Sequence, residues 1–333
     1  MLKVTGSEFE VQSTNPNARV TGVHDSLLQE CEKDIIYYRD SFLGKPHMNF
    51  IVPKHKNGPM AISIILDATT YKVLVRSPEG SLRLSTQYEQ VQNSFLRKLF
   101  GLGPTPYSVV KASTDQVPVN LMIPCKDPSL PNELLAMEER QVIRSYKFGL
   151  THLRQNQTVE EEMFGNSEKE NTPAFKEFLS FLGEEVKLKN WTEYKAGLDV
   201  LNNMTGEKSL YTKWQGYEIM FHVAAFLPHN PHDRQQIEKK RHIGNDIVTI
   251  VFVEPGTHYD IKTNTSKQNH VIAAVTPHPE GYKLSFATRK GVPSFLPELP
   301  DPPIIKKDAV GRDFFLHRRS FILYSSYGRK SQL

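Results

Sequence analysis

The sequence predicts an α/β protein of two subdomains, and three of its features lead to this fold class. Residues 247–253 form a nearly unbroken apolar run of strand length, which is typical of a strand covered on both faces of a sheet. Short runs rich in β-forming residues, separated by turns, fill residues 60–84, as in an antiparallel meander. Prolines are frequent over residues 104–131, and we place the boundary between the subdomains near residue 130.

The composition is that of a folded protein in the cytoplasm. Of the 333 residues, 38% are hydrophobic, which is too many for a disordered chain. The 41 basic and 37 acidic residues give a mildly positive balance, short of the bias of a nucleic-acid binder and compatible with an acidic protein partner. Two cysteines cannot form a disulfide framework or a four-thiolate zinc site. We also expect no signal peptide and no transmembrane segment.

The first part of the chain is predicted to be a leader followed by a strand-rich subdomain. Residues 1–30 are polar and aperiodic, so we expect a leader that is either mobile or laid over the fold as a strap. Within residues 31–130, the predicted strands are Met60–Leu66, Tyr71–Arg76 and Gly80–Leu84.

One helix is predicted in this subdomain, over Glu89–Phe100, where the glycine and proline of residues 101–104 would end it. It rests on four apolar residues at helical spacing, which are Val91, Phe95, Leu96 and Leu99.

Residues 131–303 are predicted to alternate helices and strands. The segment 134–143 is ambiguous between helix and strand, because its residue types favour a helix while its apolar spacing fits neither period. In chain order there follow a strand at 146–153, an acidic helix from 158, a helix capped by Thr172 and ended by Gly183, and two strands joined at Gln215-Gly216. Further along we expect a helix over 234–243 opened by Asp233, the apolar strand 247–253, and strands at 269–275 and 282–287. In the basic tail, residues 304–333, Phe314 and Phe321 begin apolar triplets predicted to pack as a helix.

Several kinds of active site are excluded by their missing motifs. Residues 204–209 resemble a phosphate-binding loop only superficially, because Glu207 separates Gly206 from Lys208. No nucleophile elbow occurs, and neither cysteine lies in a known nucleophile motif. Four histidines fall close together without a zinc-binding pattern, so we expect structural or surface histidines and no metal site: His222, His229, His232 and His242.

The remaining candidate site is the basic helix before the apolar strand. Lys239, Lys240, Arg241 and His242 precede Gly244 and Asn245. This pattern alone fits a solvated basic face that ends in a glycine–asparagine cap. A second interpretation is a set of cations and a carboxamide presented to a phosphate-bearing surface, because residues three and four before Asn245 are its neighbours if the turn remains helical. The residues alone leave both interpretations open.

The octapeptide Arg241–Val248 resembles the signature of Rap-type GTPase-activating domains. The similarity extends in order over about residues 35–303. The supporting matches are Tyr37–Arg39 with Gly44-Lys45, His47 with Asn49, Glu160–Phe164, Phe178–Gly183, Gly197–Val200, Glu218–Val223 and Leu299–Pro302.

This resemblance implies a function in trans. Members of the family insert an asparagine carboxamide into the GTPase to position the attacking water, because Rap proteins lack the glutamine that Ras uses. Asn245 matches this asparagine thumb, and Lys240, Arg241 and His242 match the helix that docks against the GTPase. The chain itself would need no cofactor, since GTP and Mg²⁺ belong to the partner, a Rap-like small GTPase.

The resemblance also implies that residues 31–130 are a dimerisation subdomain of a homodimer. Residues 131–303 would be the catalytic, G-domain-like α/β subdomain with a central mixed sheet. The chain departs from the family pattern at Pro46, over Thr257–Gln268 and beyond Phe315. Two alternatives therefore stay open, namely an activator of a Rheb-like GTPase, as related tuberin domains are, and a scaffold that binds a GTPase without catalysis.

Overall fold

The computed structural model describes residues 2–4, 8–21, 36–139, 144–292 and 297–318. These residues form two compact units. We call residues 36–139 the strand-rich unit, and we call the remaining described residues the mixed-sheet unit. No helix in the described part of the chain is long and apolar enough to cross a lipid bilayer.

The strand-rich unit is an antiparallel sheet with helices on both faces. The strands run in the order β7-β6-β5-β4-β8, which confirms the predicted meander. One face packs on Val109 and Val110, and the other on Tyr38 and Phe42. Numbered after the N-terminal strands β1 (Leu2–Lys3), β2 (Phe9–Val11) and β3 (Thr14–Asn15), its elements are α1 (Tyr37–Ser41), β4 (Met48–Val52), β5 (Met60–Asp67), β6 (Thr70–Ser77), β7 (Gly80–Gln87), α2 (Phe95–Leu99), α3 (Pro106–Ser113), β8 (Ile123–Cys125) and α4 (Leu130–Glu139), with 3-10 turns at Tyr88–Gln90 and Val119–Leu121.

The helix predicted over Glu89–Phe100 is wrong in its extent. Only α2 is α-helical there, because the Ser94 hydroxyl caps its first turn by accepting from the Arg97 N–H at 3.4 Å. Val91 is buried, but the other residues of the supposed apolar stripe are exposed, at 79% for Phe95 and 67% for Leu99. The ambiguous segment 134–143 is helical in α4 up to residue 139, and residues 140–143 lie outside the described part.

The mixed-sheet unit is built on a nine-stranded sheet in the order β10-β11-β12-β9-β13-β15-β16-β18, with β2 beside β16. Its four inner strands, β12, β9, β13 and β15, are mutually parallel, whereas the outer pairs are antiparallel. The elements are β9 (Ser145–Leu153), α5 (Glu160–Gly165), α6 (Pro173–Leu182), β10 (Glu184–Lys187), β11 (Lys208–Trp214), β12 (Tyr217–Val223), α7 (Ile237–Gly244), β13 (Val248–Val253), β14 (Tyr259–Asp260), β15 (Val271–His278), β16 (Gly281–Arg289), β17 (Leu299–Pro300), β18 (Ile304–Ile305) and a helix α8 over 309–318, with 3-10 turns at Glu168–Glu170 and Ile261–Thr263. The two units together have the mixed α/β architecture that the sequence predicts.

Local sequence signals account for two elements of this unit. The Thr172 hydroxyl accepts from the Phe175 N–H at 3.2 Å and caps α6, whose apolar residues are buried as predicted. The hairpin β11–β12 turns at Gln215 and Gly216, which both have positive φ angles, as a tight two-residue turn requires.

The centre of the sheet is β13, in which all six residues are buried. It pairs in parallel with β9 on one side and β15 on the other, which explains its apolar run. The preceding helix α7 begins at Ile237 and not at Arg234, because Gln236 is left-handed at φ 48°. The Asp233 carboxylate caps this later start by accepting from the Ile237 N–H at 2.8 Å.

Both ends of the described chain lie on the mixed-sheet unit. Strand β1 pairs with β14, and β2 pairs with β16. Phe314 and the next two residues are buried in α8, in agreement with the predicted helix. The second triplet, at Phe321, lies outside the described residues.

Candidate functional site

The candidate thumb, Asn245, lies on the turn that joins α7 to β13. Its backbone (φ −93°, ψ 3°) extends the helical turn, and its N–H donates to the His242 carbonyl at 3.3 Å. The residue is exposed, and no hydrogen bond in the described part of the chain uses its carboxamide. The turn therefore presents a free donor and acceptor to solvent, directly before a fully buried strand.

Asp246, the next residue, points in the opposite direction and is completely buried. Its Oδ2 atom lies 2.8 Å from Nδ1 of His222 on β12, and its Oδ1 atom lies 3.2 Å from Nζ of Lys147 on β9. The Lys147 ammonium also donates to the Asn245 carbonyl at 3.4 Å. Side chains from two neighbouring strands, β12 and β9, thus bind the turn from its buried side.

His222 is a buried structural histidine, as the sequence suggested. Its Nε2 atom lies 3.1 Å from the Ala196 carbonyl, so both ring nitrogens face oxygen atoms. The buried carboxyl group of Asp246 is thereby paired with the imidazole ring, as a buried polar group requires.

His242 contacts this network from the helix. Its ring packs edge-on against His222, with ring centroids 5.4 Å apart and planes at 70°. Burial, followed by the nearby His222 and Arg241, lowers the pKa of His242 below its usual value. At neutral pH this side chain is uncharged, and it contributes ring packing at the base of the turn and not a cation.

The basic residues of α7 separate into buried and exposed positions. Lys239 is 1% exposed, its ammonium donates to the Asn166 carbonyl at 3.0 Å, and burial lowers its pKa to about 8. Lys239 is therefore part of the core and not of a basic surface.

Lys240 and Arg241 remain nearer the surface. Nζ of Lys240 lies 2.7 Å from the carboxylate of Glu160. The Arg241 side chain is 61% exposed, and its partner among the described residues is Glu238, whose side chain is 68% exposed. Of the predicted docking residues, Arg241 is the one that shares the open surface with Asn245.

Sequence reasoning missed Lys147 and the role of Asp246. Lys147 is 98 residues away from Asn245 in sequence, and no local pattern predicts their contact. Asp246 had a signal, because a charged residue at the start of a buried apolar strand needs a partner. In the described part of the chain, no group of three or more His, Cys, Asp or Glu side chains is arranged to hold a metal ion.

Comparison with known proteins shows a consistent set of similarities. The family model described as Rap/ran-GAP matches residues 163–329. Signal-induced proliferation-associated 1-like protein 3 of Homo sapiens is 36% identical over 297 residues, which are 84% of this chain and 17% of that protein. GTPase-activating Rap/Ran-GAP domain-like protein 3 of Danio rerio is 31% identical over 323 residues, covering 93% of this chain and 30% of that protein.

A solved structure described as that of the TSC2 GAP domain is 30% identical in sequence, with a TM-score of 0.49. The match covers 56% of this chain and 99% of that one. The chain spans less than a third of the length of the two relatives above.

Proposed function

Because this chain belongs to the Rap/ran-GAP family, we propose that it activates GTP hydrolysis by a Rap-like small GTPase. The observation that carries the proposal is the exposed carboxamide of Asn245 on the rigid turn between α7 and β13. The name of one relative, GTPase-activating Rap/Ran-GAP domain-like protein 3, agrees with it. A small GTPase as partner gives the protein a cytoplasmic site of action.

The proposed role of Asn245 is to position the attacking water in trans. Catalysis of GTP hydrolysis depends on holding a water in line with the γ-phosphate and on stabilising the charge that develops. A carboxamide accepts a hydrogen bond through its oxygen and donates two through its nitrogen. Asn245 can therefore orient a water and bind an oxygen of the partner at the same time. The chain itself neither binds nor hydrolyses nucleotide, and GTP and Mg²⁺ belong to the GTPase.

The surroundings of Asn245 support this role. A positioning group works best when little conformational freedom is lost on docking. The turn is fixed by α7 on one side and by the buried Asp246 and β13 on the other, and the side chain of Asn245 is exposed. The chain departs from the family over 257–268, but the asparagine that matches the thumb, Asn245, is present, which favours catalysis over a scaffold role.

We assign docking to the exposed end of α7. Arg241 is the main contact, because its guanidinium is solvent-exposed beside the thumb and suits an acidic, phosphate-bearing surface. Lys240 contributes charge from the same helix while it holds Glu160, and the uncharged His242 supports the turn from the inner side.

We also propose that the strand-rich unit forms a homodimer. Its exposed apolar cluster on and after α2 is 50% to 79% exposed and consists of Phe95, Leu96, Leu99, Phe100 and Leu102. Such a cluster on a folded protein marks an interface, and a second copy of the chain is the occupant that the family resemblance implies. Light scattering should give the mass of a dimer for the wild type and of a monomer for a Phe95→Asp, Leu99→Asp variant. A monomeric wild type at micromolar concentrations would rule the dimer out.

The proposed activity is tested by single-turnover hydrolysis on a panel of GTP-loaded GTPases. We expect the wild-type protein at stoichiometric concentration to accelerate hydrolysis by Rap more than by Rheb-like or Ras-like GTPases. Acceleration of Rheb alone would keep the activity and change the partner. Binding to the panel without acceleration of any member would leave only the scaffold role and refute the proposal.

A further inference from the structure

The backbone carbonyls on both sides of Asn245 are held by side chains from outside α7. The Asn269 amide nitrogen donates to the Ile243 carbonyl at 3.1 Å and to the Asp246 carbonyl. The Ile243 carbonyl lies at the end of α7 and also accepts from the Asp246 N–H at 3.2 Å, whereas the Asp246 carbonyl follows the helix. One amide therefore binds the backbone on both sides of the turn. Asn269 is 3% exposed, so both bonds are shielded from water.

The two carbonyls between these are held as well. The Ser266 hydroxyl donates to the Gly244 carbonyl, and Lys147 donates to that of Asn245. The same hydroxyl accepts from the N–H groups of Gln268 and Asn269, at 3.0 and 3.3 Å. Four successive carbonyls around the thumb are thus bound, three of them by the segment 264–270, which we call the clamp loop.

The clamp loop is itself braced by Arg289, at the end of β16. Its guanidinium donates to the Asn269 carbonyl at 3.0 Å and to the Ser266 carbonyl at 2.8 Å. The same group pairs with Glu8 and lies over the ring of Phe9, 4.9 Å from its centroid. A planar guanidinium with several fixed donors suits such a junction, which a lysine could not form in the same geometry.

We propose that Asn269 and Ser266, braced by Arg289, are positioning residues that set the direction of the Asn245 carboxamide. The proposal rests on the proposed function of Asn245. The backbone on both sides of Asn245 is anchored through its carbonyls, and this backbone sets the direction of the Asn245 side chain. Displacement of a reacting group by about 1 Å lowers the rate on the order of a hundredfold. Of these residues, Ser266 lies in the stretch 257–268, which matches the family pattern poorly, whereas Asn269 and Arg289 lie outside it.

Loss of the clamp is tested with Asn269→Ala and the milder Ser266→Ala. The matched control is Arg312→Ala, because Arg312 donates to the Leu182 carbonyl at the end of α6, at 3.3 and 3.2 Å, and so holds a different helix end in the same unit. For each variant we would measure the saturating single-turnover rate on GTP-loaded Rap, the half-saturating concentration, the melting temperature, and amide hydrogen exchange of residues 243–247.

We expect Asn269→Ala to lower the saturating rate by about tenfold or more. The half-saturating concentration should stay within about twofold of the wild-type value, because the docking surface is unchanged. Ser266→Ala should change the rate in the same direction by less, and it decides the outcome if Asn269→Ala does not fold. Exchange of residues 243–247 should quicken in both variants. Arg312→Ala should lose thermal stability and keep its rate.

A wild-type saturating rate in the folded clamp variants would overturn the proposal, as would an equal rate loss in Arg312→Ala. If the wild-type protein accelerates no GTPase, the proposed function fails, and the exchange measurement still decides the clamp. Unchanged exchange at residues 243–247 would then show that Asn269 and Ser266 do not hold the turn.

Discussion

Adjacent residues at the thumb have opposite tasks. Asn245 is exposed and keeps its carboxamide free, whereas Asp246 is fully buried and bound to His222 and Lys147. The change of direction occurs because the helical turn ends at one residue and a buried strand begins shortly after it. The exposed carboxamide is thereby attached to a backbone that buried contacts hold in place.

We expect Arg241 to promote association with the GTPase and to have no role in the hydrolysis step. Arg241→Glu should raise the half-saturating GTPase concentration by about three- to tenfold at low salt and leave the saturating rate unchanged, because rim charges act mainly on association. Added salt should reduce the difference in half-saturating concentration between the wild type and Arg241→Glu, because it screens exposed charges. Single-turnover titrations at two ionic strengths measure both effects.

The control for Arg241 is Lys213→Glu. The Lys213 side chain is 60% exposed, against 61% for Arg241, and each has one carboxylate partner. Equal effects of the two substitutions would mean that only the overall charge matters, and the docking role of Arg241 would be refuted.

Local sequence could predict some of these residues and not others. The Gly244-Asn245 pair ends a helix by its own chemistry, so the placement of Asn245 on a turn follows from neighbouring residues. Lys147 and Asn269 reach the turn only through the register of β9 and the path of the clamp loop. Contacts of this kind depend on the folded sheet, and no spacing in the sequence encodes them.

Among the elements, the end of α7 lies unusually close to the backbone of β9. A Cβ atom at Gly149 would lie 2.8 Å from Cγ2 of Ile243 and 3.4 Å from Oδ2 of Asp246. Ile243 is buried at 2% exposure and has little room to move away. The helix end and the thumb turn therefore rest directly on a strand without a side chain at this point.

Gly149→Ala should displace this helix end. We expect a loss of about 1–3 kcal/mol in the free energy of unfolding, as for other overpacked cores. The saturating rate on Rap should fall as well, because the same movement shifts Asn245. Gly165→Ala is the control, since a Cβ atom there would meet nothing within 4 Å. Urea unfolding and single-turnover assays of both variants measure the effects, and a Gly149→Ala protein as stable and active as the Gly165→Ala protein would contradict this account.

Sequence patterns predicted elements well where local chemistry and burial agree. Strand β13 and helix α6 follow from an apolar run and from a capped apolar stripe. The pattern misled at α2, because periodicity reports that one face is apolar and not whether the fold covers that face. It misplaced the start of α7, because the left-handed Gln236 delays the helix past its acidic cap.

On the scale of the whole molecule, the structure buries several histidines in a neutral state. Burial lowers the pKa of His152, although its bond to Glu254 at 2.9 Å partly opposes this. Burial also lowers the pKa of His242, and it lowers that of His317 to about 4. In the unfolded chain each histidine has its ordinary pKa of 6.5, so as the pH falls the unfolded state takes up protons before the folded state does.

These three histidines should therefore make the free energy of unfolding fall as the pH drops below about 6.5. For His317 alone, the loss between pH 7 and pH 5 is about 2 kcal/mol, since one pH unit between the two pKa values corresponds to about 1.4 kcal/mol. Denaturant unfolding at both pH values measures this loss, and His317→Gln should lose about 2 kcal/mol less than the wild type. An identical loss in the variant would show that His317 does not titrate on unfolding.

The central claim is that Asn245 supplies the catalytic group in trans, and one measurement tests it most directly. Single-turnover hydrolysis by GTP-loaded Rap should be accelerated by the wild type and by Asn202→Ala, which removes another exposed asparagine of the same unit. Asn245→Ala should lower the saturating rate by at least about a hundredfold, as the loss of a transition-state donor does, and should change stability by no more than about 0.5 kcal/mol. An Asn245→Ala protein that accelerates hydrolysis like the wild type would contradict the account.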